Sequence, residues 1–130
     1  MLESWEPRRR ALVIAGNARL RRDTCLALEA RGIETITAPD GDLGLHLVAE
    51  ELLALDLLVV DLDAPRRDGW EILHVIRERG NEQDLRVLVT TDQPAAVRGN
   101  LHAMGADAVV DRRRGPPAIA DESAALLAAG

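Results

Sequence analysis

Asp61 is the residue of this sequence best placed to do chemistry. It ends the apolar run Leu57-Leu58-Val59-Val60 and is followed by Pro65 and by an Asp68-Gly69 turn. A carboxylate in this position can attack a phosphoryl group and form an acyl phosphate when a divalent metal and a cation neutralise the transferring oxygens. Asp61 could also simply cap a loop through a hydrogen bond, and the residue type alone leaves both interpretations open.

The elements that must position Asp61 follow an alternating pattern. Short aliphatic runs alternate with longer segments of helical period, which predicts βα units around a parallel sheet. Apolar residues recur at helical spacing over 45–55 and 97–104, and Gly32 and Gly105 stand where helices should end. Gly115-Pro116-Pro117 separates the last strand from a final helix, predicted from Ala118 to Ala129. Strands are predicted at Ala11 to Ala15, Glu34 to Ala38, Leu55 to Asp61, Arg86 to Thr90 and Asp107 to Asp111.

Composition limits the classes of partner and location. The 130 residues include no lysine, and their 16 basic residues against 22 acidic ones give a net charge of -6. This balance disfavours nucleic acid and anionic membrane and favours a protein partner. One cysteine, Cys25, and no apolar stretch of about 18 residues make a cytoplasmic location the expectation. We predict a leader over residues 1–10 and one domain over 11–129.

The order of landmarks resembles that of bacterial response-regulator receiver domains, from Ala11 to about Leu127. This resemblance implies a flavodoxin-like α/β fold, a doubly wound five-stranded parallel sheet of order 2-1-3-4-5 with five helices. It also implies that Asp61 is the phosphoacceptor of a two-component signalling module, with a histidine kinase or an output protein as partner. The landmarks that carry it are the end of the first strand, Gly32, Asp61 with Pro65 and Asp68-Gly69, Gly105-Ala106, and Arg112.

The match to receiver domains breaks at the metal site. In that family two adjacent acids after the first strand hold Mg²⁺ with the phosphoacceptor, and the same positions here are Ala15 and Gly16. Because Mg²⁺ requires hard oxygen ligands, Asp61 and the chain near Asp63 leave a weak site at best. Neighbouring Asn17 could add an amide oxygen, although we favour its use in starting a loop. We therefore expect no required cofactor and only weak Mg²⁺ binding.

Arginine replaces the lysine that follows strand five in the family. Counting from Gly105-Ala106 leads to Arg112, whose planar guanidinium could clamp Asp61 in a ground-state salt bridge. Alternatively, Arg112, Arg113 and Arg114 form a solvated basic turn, and both interpretations stay open. Arg113 stands where the family has proline. A cis peptide bond usually requires proline, so the cis turn of the family is weakened here.

The switch residues of the family are also altered. The hydroxyl residue at the end of strand four is Thr91 when counted forward from Asp61 and Thr90 when counted back from Arg112, and we prefer Thr90. The aromatic position on strand five corresponds to Val109 or its neighbour, and the chain has no tyrosine or phenylalanine. An aromatic rotamer switch is therefore excluded, and any switching must use another element.

These departures favour an atypical, degenerate receiver-like module that acts mainly through protein contacts, with impaired Mg²⁺-dependent phosphorylation at Asp61. By resemblance, its binding surface is the face of helix four, strand five and helix five. The last helix could support a homodimer through Ile119, Leu126 and Leu127 or simply cover the sheet, and packing is the preferred interpretation.

Two other functions remain open. One is a working receiver that takes phosphate from a histidine kinase on Asp61, and the other is a flavodoxin-like small-ligand binder or enzyme that uses the same crevice. We expect no enzyme activity beyond acceptance of a phosphoryl group. The three histidines, His46, His74 and His102, fall one per helix without a histidine partner four residues away, which argues against zinc.

Overall fold

The computed structural model describes residues 8–51, 54–78 and 85–129. These residues form five strands, β1 (Arg10–Ile14), β2 (Glu34–Ala38), β3 (Leu57–Asp61), β4 (Arg86–Thr91) and β5 (Ala108–Asp111). They also form five α-helices, α1 (Ala18–Glu29), α2 (Gly41–Glu51), α3 (Gly69–Glu78), α4 (Pro94–Ala103) and α5 (Pro116–Ala129). All strand pairs are parallel, in the order β2-β1-β3-β4-β5, which confirms the predicted fold class.

The sheet separates two hydrophobic cores. Successive residues of a strand point to opposite faces, so strands covered on both faces must be apolar throughout, as β3 is. One core packs β1, β3 and β4 against α2, α3 and α4 through residues such as Leu58, Ile72 and Leu101. The other packs the opposite face against α1 and α5, with Leu28 and Ile119 at its centre. Helices therefore cover both faces of the sheet.

Several predicted strand limits are off by one or two residues. The first strand begins at Arg10, which we had placed in the leader, because Arg10 pairs with Glu34. The third strand begins at Leu57 instead of Leu55, and the fourth extends to Thr91, which pairs with Asp111. Pairing with a neighbouring strand sets these limits, and this pairing cannot be read from the local sequence. Part of the predicted leader, residues 1–7, lies outside the described residues. The same holds for Leu52, one of the apolar residues at helical spacing over 45–55.

The last helix begins two residues earlier than predicted. It starts at Pro116 because proline has its φ fixed near the helical value and needs no hydrogen-bonded N–H in the first turn. Gly115 precedes it with a φ of 89°, and Gly32 and Gly105 end α1 and α4 with φ values of 80° and 109°, which confirms the predicted helix ends.

The packing of α5 bears on the homodimer alternative. Ile119 and Leu127 are buried in the core between the sheet and helices α1 and α5. Leu126 is partly buried against the same core. These residues pack against the sheet, in line with the preferred interpretation.

Candidate functional site

The β3–β4 pairing places Asp61 opposite Thr90 at the carboxyl ends of the two strands. The Thr90 hydroxyl donates to Oδ1 of Asp61 at 2.8 Å, and both residues are buried. Thr91 points to the opposite face of the sheet, and its hydroxyl accepts a hydrogen bond from the backbone N–H of Gln93 at 3.2 Å. Of the two candidate threonines, Thr90 is therefore the one that contacts Asp61.

Arg112 binds three carboxylates at once. It follows β5, in a single 3-10 turn over Arg112–Arg114. Its Nη1 donates to Oδ1 of Asp61 at 2.5 Å, and its Nη2 donates to Oδ2 of Asp63 at 2.8 Å. The same Nη2 lies 3.3 Å from Oδ1 of Asp92. These contacts form the predicted clamp on Asp61. Only 22% of the Arg112 side chain is exposed, which argues against a solvated side chain.

The electrostatics of this turn differ between neighbouring arginines. Partial burial lowers the pKa of Arg112, but the hydrogen bond to Asp63 and the charge of Asp61 outweigh it and raise the net pKa above its usual value. Arg113 faces away and binds both carboxylate oxygens of Asp111, at 3.0 and 2.7 Å. These hydrogen bonds, together with the one that the backbone N–H of Arg113 donates to Oδ1 of Asp111 at 2.9 Å, lower the pKa of Asp111 to about 2. No described peptide bond is cis, in agreement with the loss of proline at Arg113.

The positions of the missing acids are closed by packing. Ala15 is buried, and its carbonyl accepts a hydrogen bond from Nη1 of Arg21 at 2.7 Å. Gly16 lies against Pro65, so that a Cβ at position 16 would be 2.7 Å from the proline Cδ. A carboxylate side chain at position 16 would therefore collide with the proline ring unless the loop moved.

The donor set does not fit Mg²⁺ in the manner of the family. The two predicted weak ligands, Asp61 and Asp63, both contact the Arg112 guanidinium. Within the described ranges, no group of three or more His, Cys, Asp or Glu side chains is arranged to hold a metal ion. Two carboxylates that already pair with a fixed cation fall well short of the octahedral oxygen shell that Mg²⁺ requires.

The loop after Asp61 is pinned to the start of α2. The N–H of Gly41 donates to the carbonyl of Pro65 at 3.0 Å, and the carbonyl of Arg67 packs against the Gly41 Cα. Nε of Arg67 also donates to Asp42 at 2.8 Å. Arg66, between these contacts, has a φ of 71°, a value that non-glycine residues rarely adopt. The loop geometry is thus set by tertiary contacts on both sides.

An open groove of about 470 Å³ lies beside the clamp. Asp61 and Arg112 line it together with Asn17 and Pro116. Asn17 is the N-cap of α1, and its side-chain oxygen accepts from the N–H of Leu20 at 2.8 Å. Asn17 thus caps α1, where we had favoured its use in starting the loop before that helix, and the cap uses the oxygen that a metal would need.

Sequence reasoning missed two residues of the site, Asp92 and Arg21. Asp92 directly follows β4, so the rule that strand ends converge could have identified it. Arg21 offered no signal, because only the packing of α1 brings it to the Ala15 carbonyl.

The remaining candidate residues lie apart from this site. His46 and His74 pair with glutamates four residues on, and Nδ1 of His102 lies 2.8 Å from the Ala106 carbonyl. Cys25 is buried, and this burial raises the pKa of its thiol. None of these residues belongs to a metal-binding cluster within the described ranges.

Comparison with known proteins supports the fold. By sequence, the chain matches no family model and no curated protein. By structure, it is similar to a putative response regulator from Chloroflexus aurantiacus, with a TM-score of 0.81, 21% identity, and coverage of 94% of this chain and 99% of the other. It is also similar to the receiver domain of the putative response regulator NarL from Mycobacterium tuberculosis, with a TM-score of 0.78, 24% identity and coverage of 93% and 98%.

A third solved structure is longer than this chain. It is a putative two-component system response regulator/GGDEF domain protein, with a TM-score of 0.85 and 20% identity. The match covers 94% of this chain but only 50% of that protein. The chain therefore has the fold of response-regulator receiver domains. Among its described residues, no helix is long and apolar enough to span a membrane.

Proposed function

We propose that this chain is an atypical receiver-like signalling module of the two-component type. It acts mainly through contacts with other signalling proteins, a histidine kinase or an output protein, and Mg²⁺-dependent phosphorylation at Asp61 is impaired. It has no turnover of its own, since Asp61 at most receives a phosphoryl group. A cytoplasmic location is part of this proposal.

The proposal rests on the two hydrogen bonds that Oδ1 of Asp61 already accepts. In the receiver domains that the sequence resembles, a hydroxyl residue and a cation contact the transferred phosphoryl group. Here the Thr90 hydroxyl and the Arg112 guanidinium contact the unmodified carboxylate, at 2.8 and 2.5 Å. Phosphoryl transfer would have to disrupt a short, partly buried ion pair, and breaking such a pair is costly.

Local charge also opposes phosphoryl transfer. Asp63 and Asp92 flank Asp61 around the same guanidinium, so an anionic phosphodonor would approach several carboxylates. Receiver domains offset such repulsion with a divalent ion, and Ala15 and Gly16 remove the acids that would bind it. Slow or absent phosphorylation is the expected consequence.

The face formed by α4, β5 and α5 is the proposed partner surface. Nη1 of Arg98 on α4 donates to the carbonyl of Val109 on β5 at 2.8 Å. This bond joins the helix to the strand at the position where an aromatic switch is missing. A face that is held in one arrangement without an aromatic switch supports binding that does not depend on phosphorylation.

A working phosphoacceptor remains the second candidate, and one observation favours it. Oδ2 of Asp61 accepts no hydrogen bond from the described residues, and Asp61 lines the open groove. This oxygen could act as a nucleophile if a cation took part in charge neutralisation.

Intact mass spectrometry tests the proposal directly. The protein is incubated with MgCl₂ and acetyl phosphate, with Asp61→Asn as the matched control, and Trp70 fluorescence reports any change at the start of α3. We expect no phosphoryl adduct that depends on Asp61 and no Mg²⁺-dependent change in fluorescence. A stoichiometric adduct that disappears in Asp61→Asn would overturn the proposal and establish the working receiver.

A further inference from the structure

We infer that the guanidinium group of Arg112 is a tethered cation that takes the place of a divalent metal ion between Asp61, Asp63 and Asp92. The inference rests on the proposed function, because it concerns the same carboxylates and explains how the site is held together without Mg²⁺.

The three carboxylates come from two neighbouring strand ends. Asp61 ends β3, Asp63 lies in the loop after it, and Asp92 follows β4. Carboxylates that converge in this way repel one another unless a cation lies between them. Arg112 contacts all three, with Nη1 on Asp61 and Nη2 on the other two.

Other arginines near the site face elsewhere. Arg113 binds Asp111, and Arg19, which lines the groove, lies 3.8 Å from Asp23 in an ion pair on α1. Among the described residues, the ion pairs of Asp61, Asp63 and Asp92 are made by Arg112. Arg112 therefore supplies the direct ion pairs of all three carboxylates.

The guanidinium competes with a metal ion for Oδ1 of Asp61. Mg²⁺ binds oxygen at about 2.1 Å, and Nη1 lies 2.5 Å from Oδ1 of Asp61, so both cations on this oxygen would be less than about 5 Å apart. Because the charge of arginine is permanent at ordinary pH, repulsion at this distance would weaken metal binding in the native site.

Removal of the guanidinium should therefore create a cation site. In Arg112→Ala, three carboxylates would surround a space of guanidinium size without a counter-charge. Asp63 and Asp92 have 67% and 51% of their side chains exposed, so they can close around a smaller ion. A free divalent cation or a free guanidinium ion should then bind.

The test is a cation titration of purified variants. Thermal unfolding of wild type, Arg112→Ala and Arg113→Ala is followed with MnCl₂, MgCl₂ or guanidinium chloride at non-denaturing concentration. Arg113→Ala is the matched control, since it removes a neighbouring arginine that does not contact Asp61. NMR line broadening by Mn²⁺ at the amides of Leu62 and Asp63 locates the bound ion.

We expect a saturable rise of the melting temperature only in Arg112→Ala, with a Kd of about 10⁻³ M for a divalent ion. Addition of Asp61→Asn to this variant should weaken binding, and wild type and Arg113→Ala should not respond. Lack of any cation response in folded Arg112→Ala would overturn the inference, as would equal Mn²⁺ binding by wild type.

A folding defect does not prevent the test. If Arg112→Ala unfolds, recovery of its structure on addition of Mn²⁺ or guanidinium supports the inference. If it stays unfolded, the same titration of Arg112→Gln, which keeps most of the side-chain length but no charge, decides the outcome. No phosphodonor is used, so phosphorylation of wild type would overturn the proposed function without deciding this result.

Discussion

Thr90 faces Asp61 across the β3–β4 pairing and donates its hydroxyl to the carboxylate, whereas Thr91, next along the strand, bonds the backbone of Gln93. Both threonines are almost fully buried, with 2% and 3% of their surface exposed. Their contributions should therefore differ through their partners and not through their burial.

Replacement of each threonine by valine separates these roles. Thr90→Val removes a hydrogen bond to a charged group and should lower the free energy of unfolding by about 1.5–3 kcal/mol. Thr91→Val removes a neutral bond and should cost about 0.5–1.5 kcal/mol. Urea denaturation measures both, and a larger loss in Thr91→Val would contradict the assignment of Thr90 to Asp61.

The contact between Gly16 and Pro65 should be visible as an energetic coupling. Gly16→Ala places a Cβ 2.7 Å from the proline Cδ and should destabilise the protein by about 1–3 kcal/mol. In a Pro65→Ala background the ring is gone, and the added methyl should cost clearly less. A double-mutant cycle by urea unfolding gives the coupling, and purely additive effects would show that the two residues do not limit each other.

Two glycines at helices should respond in opposite directions to alanine. Gly99 lies inside α4 with nothing within 4 Å of its added Cβ, so Gly99→Ala should stabilise by up to about 1 kcal/mol through helix propensity. Gly41 begins α2 against the carbonyl of Arg67, so Gly41→Ala should destabilise by about 3 kcal/mol. Thermal and urea unfolding of the pair checks the prediction, which fails if both variants move in the same direction.

The Asp111–Arg113 pair predicts a specific pH dependence. The folded pKa of Asp111 is about 2, below an unfolded value of about 4. The pair therefore contributes stability above pH about 4, and this contribution is lost as the pH falls toward about 2.

An NMR titration of the Asp111 carboxyl tests this dependence. In Arg113→Ala the pKa should rise but stay below about 4, because the side-chain hydrogen bonds are removed while the backbone N–H of residue 113 still donates to Oδ1 of Asp111. Arg114→Ala is a useful control, since Arg114 lies 3.7 Å from Glu122 and not on Asp111. An unchanged pKa in Arg113→Ala would show that another group lowers it.

The sequence by itself determined the fold class and the chemical limits of the site. Alternation of aliphatic runs with helical periods is a local pattern, and it predicted the order and type of the elements. The absence of lysine, tyrosine and phenylalanine, and of acids at Ala15 and Gly16, is a fact of composition and position. These facts exclude the aromatic switch and weaken the expected metal site.

Only the tertiary structure decided which groups meet at Asp61. Counting along the chain left Thr90 and Thr91 open, and the register between β3 and β4 selects Thr90. Whether Arg112 clamps Asp61 or lies in solvent depends on how two strand ends, 51 residues apart, approach each other. Such choices depend on distances between segments that are remote in sequence. Strand pairing and packing set these distances, and they cannot be read from residue type and spacing along the chain.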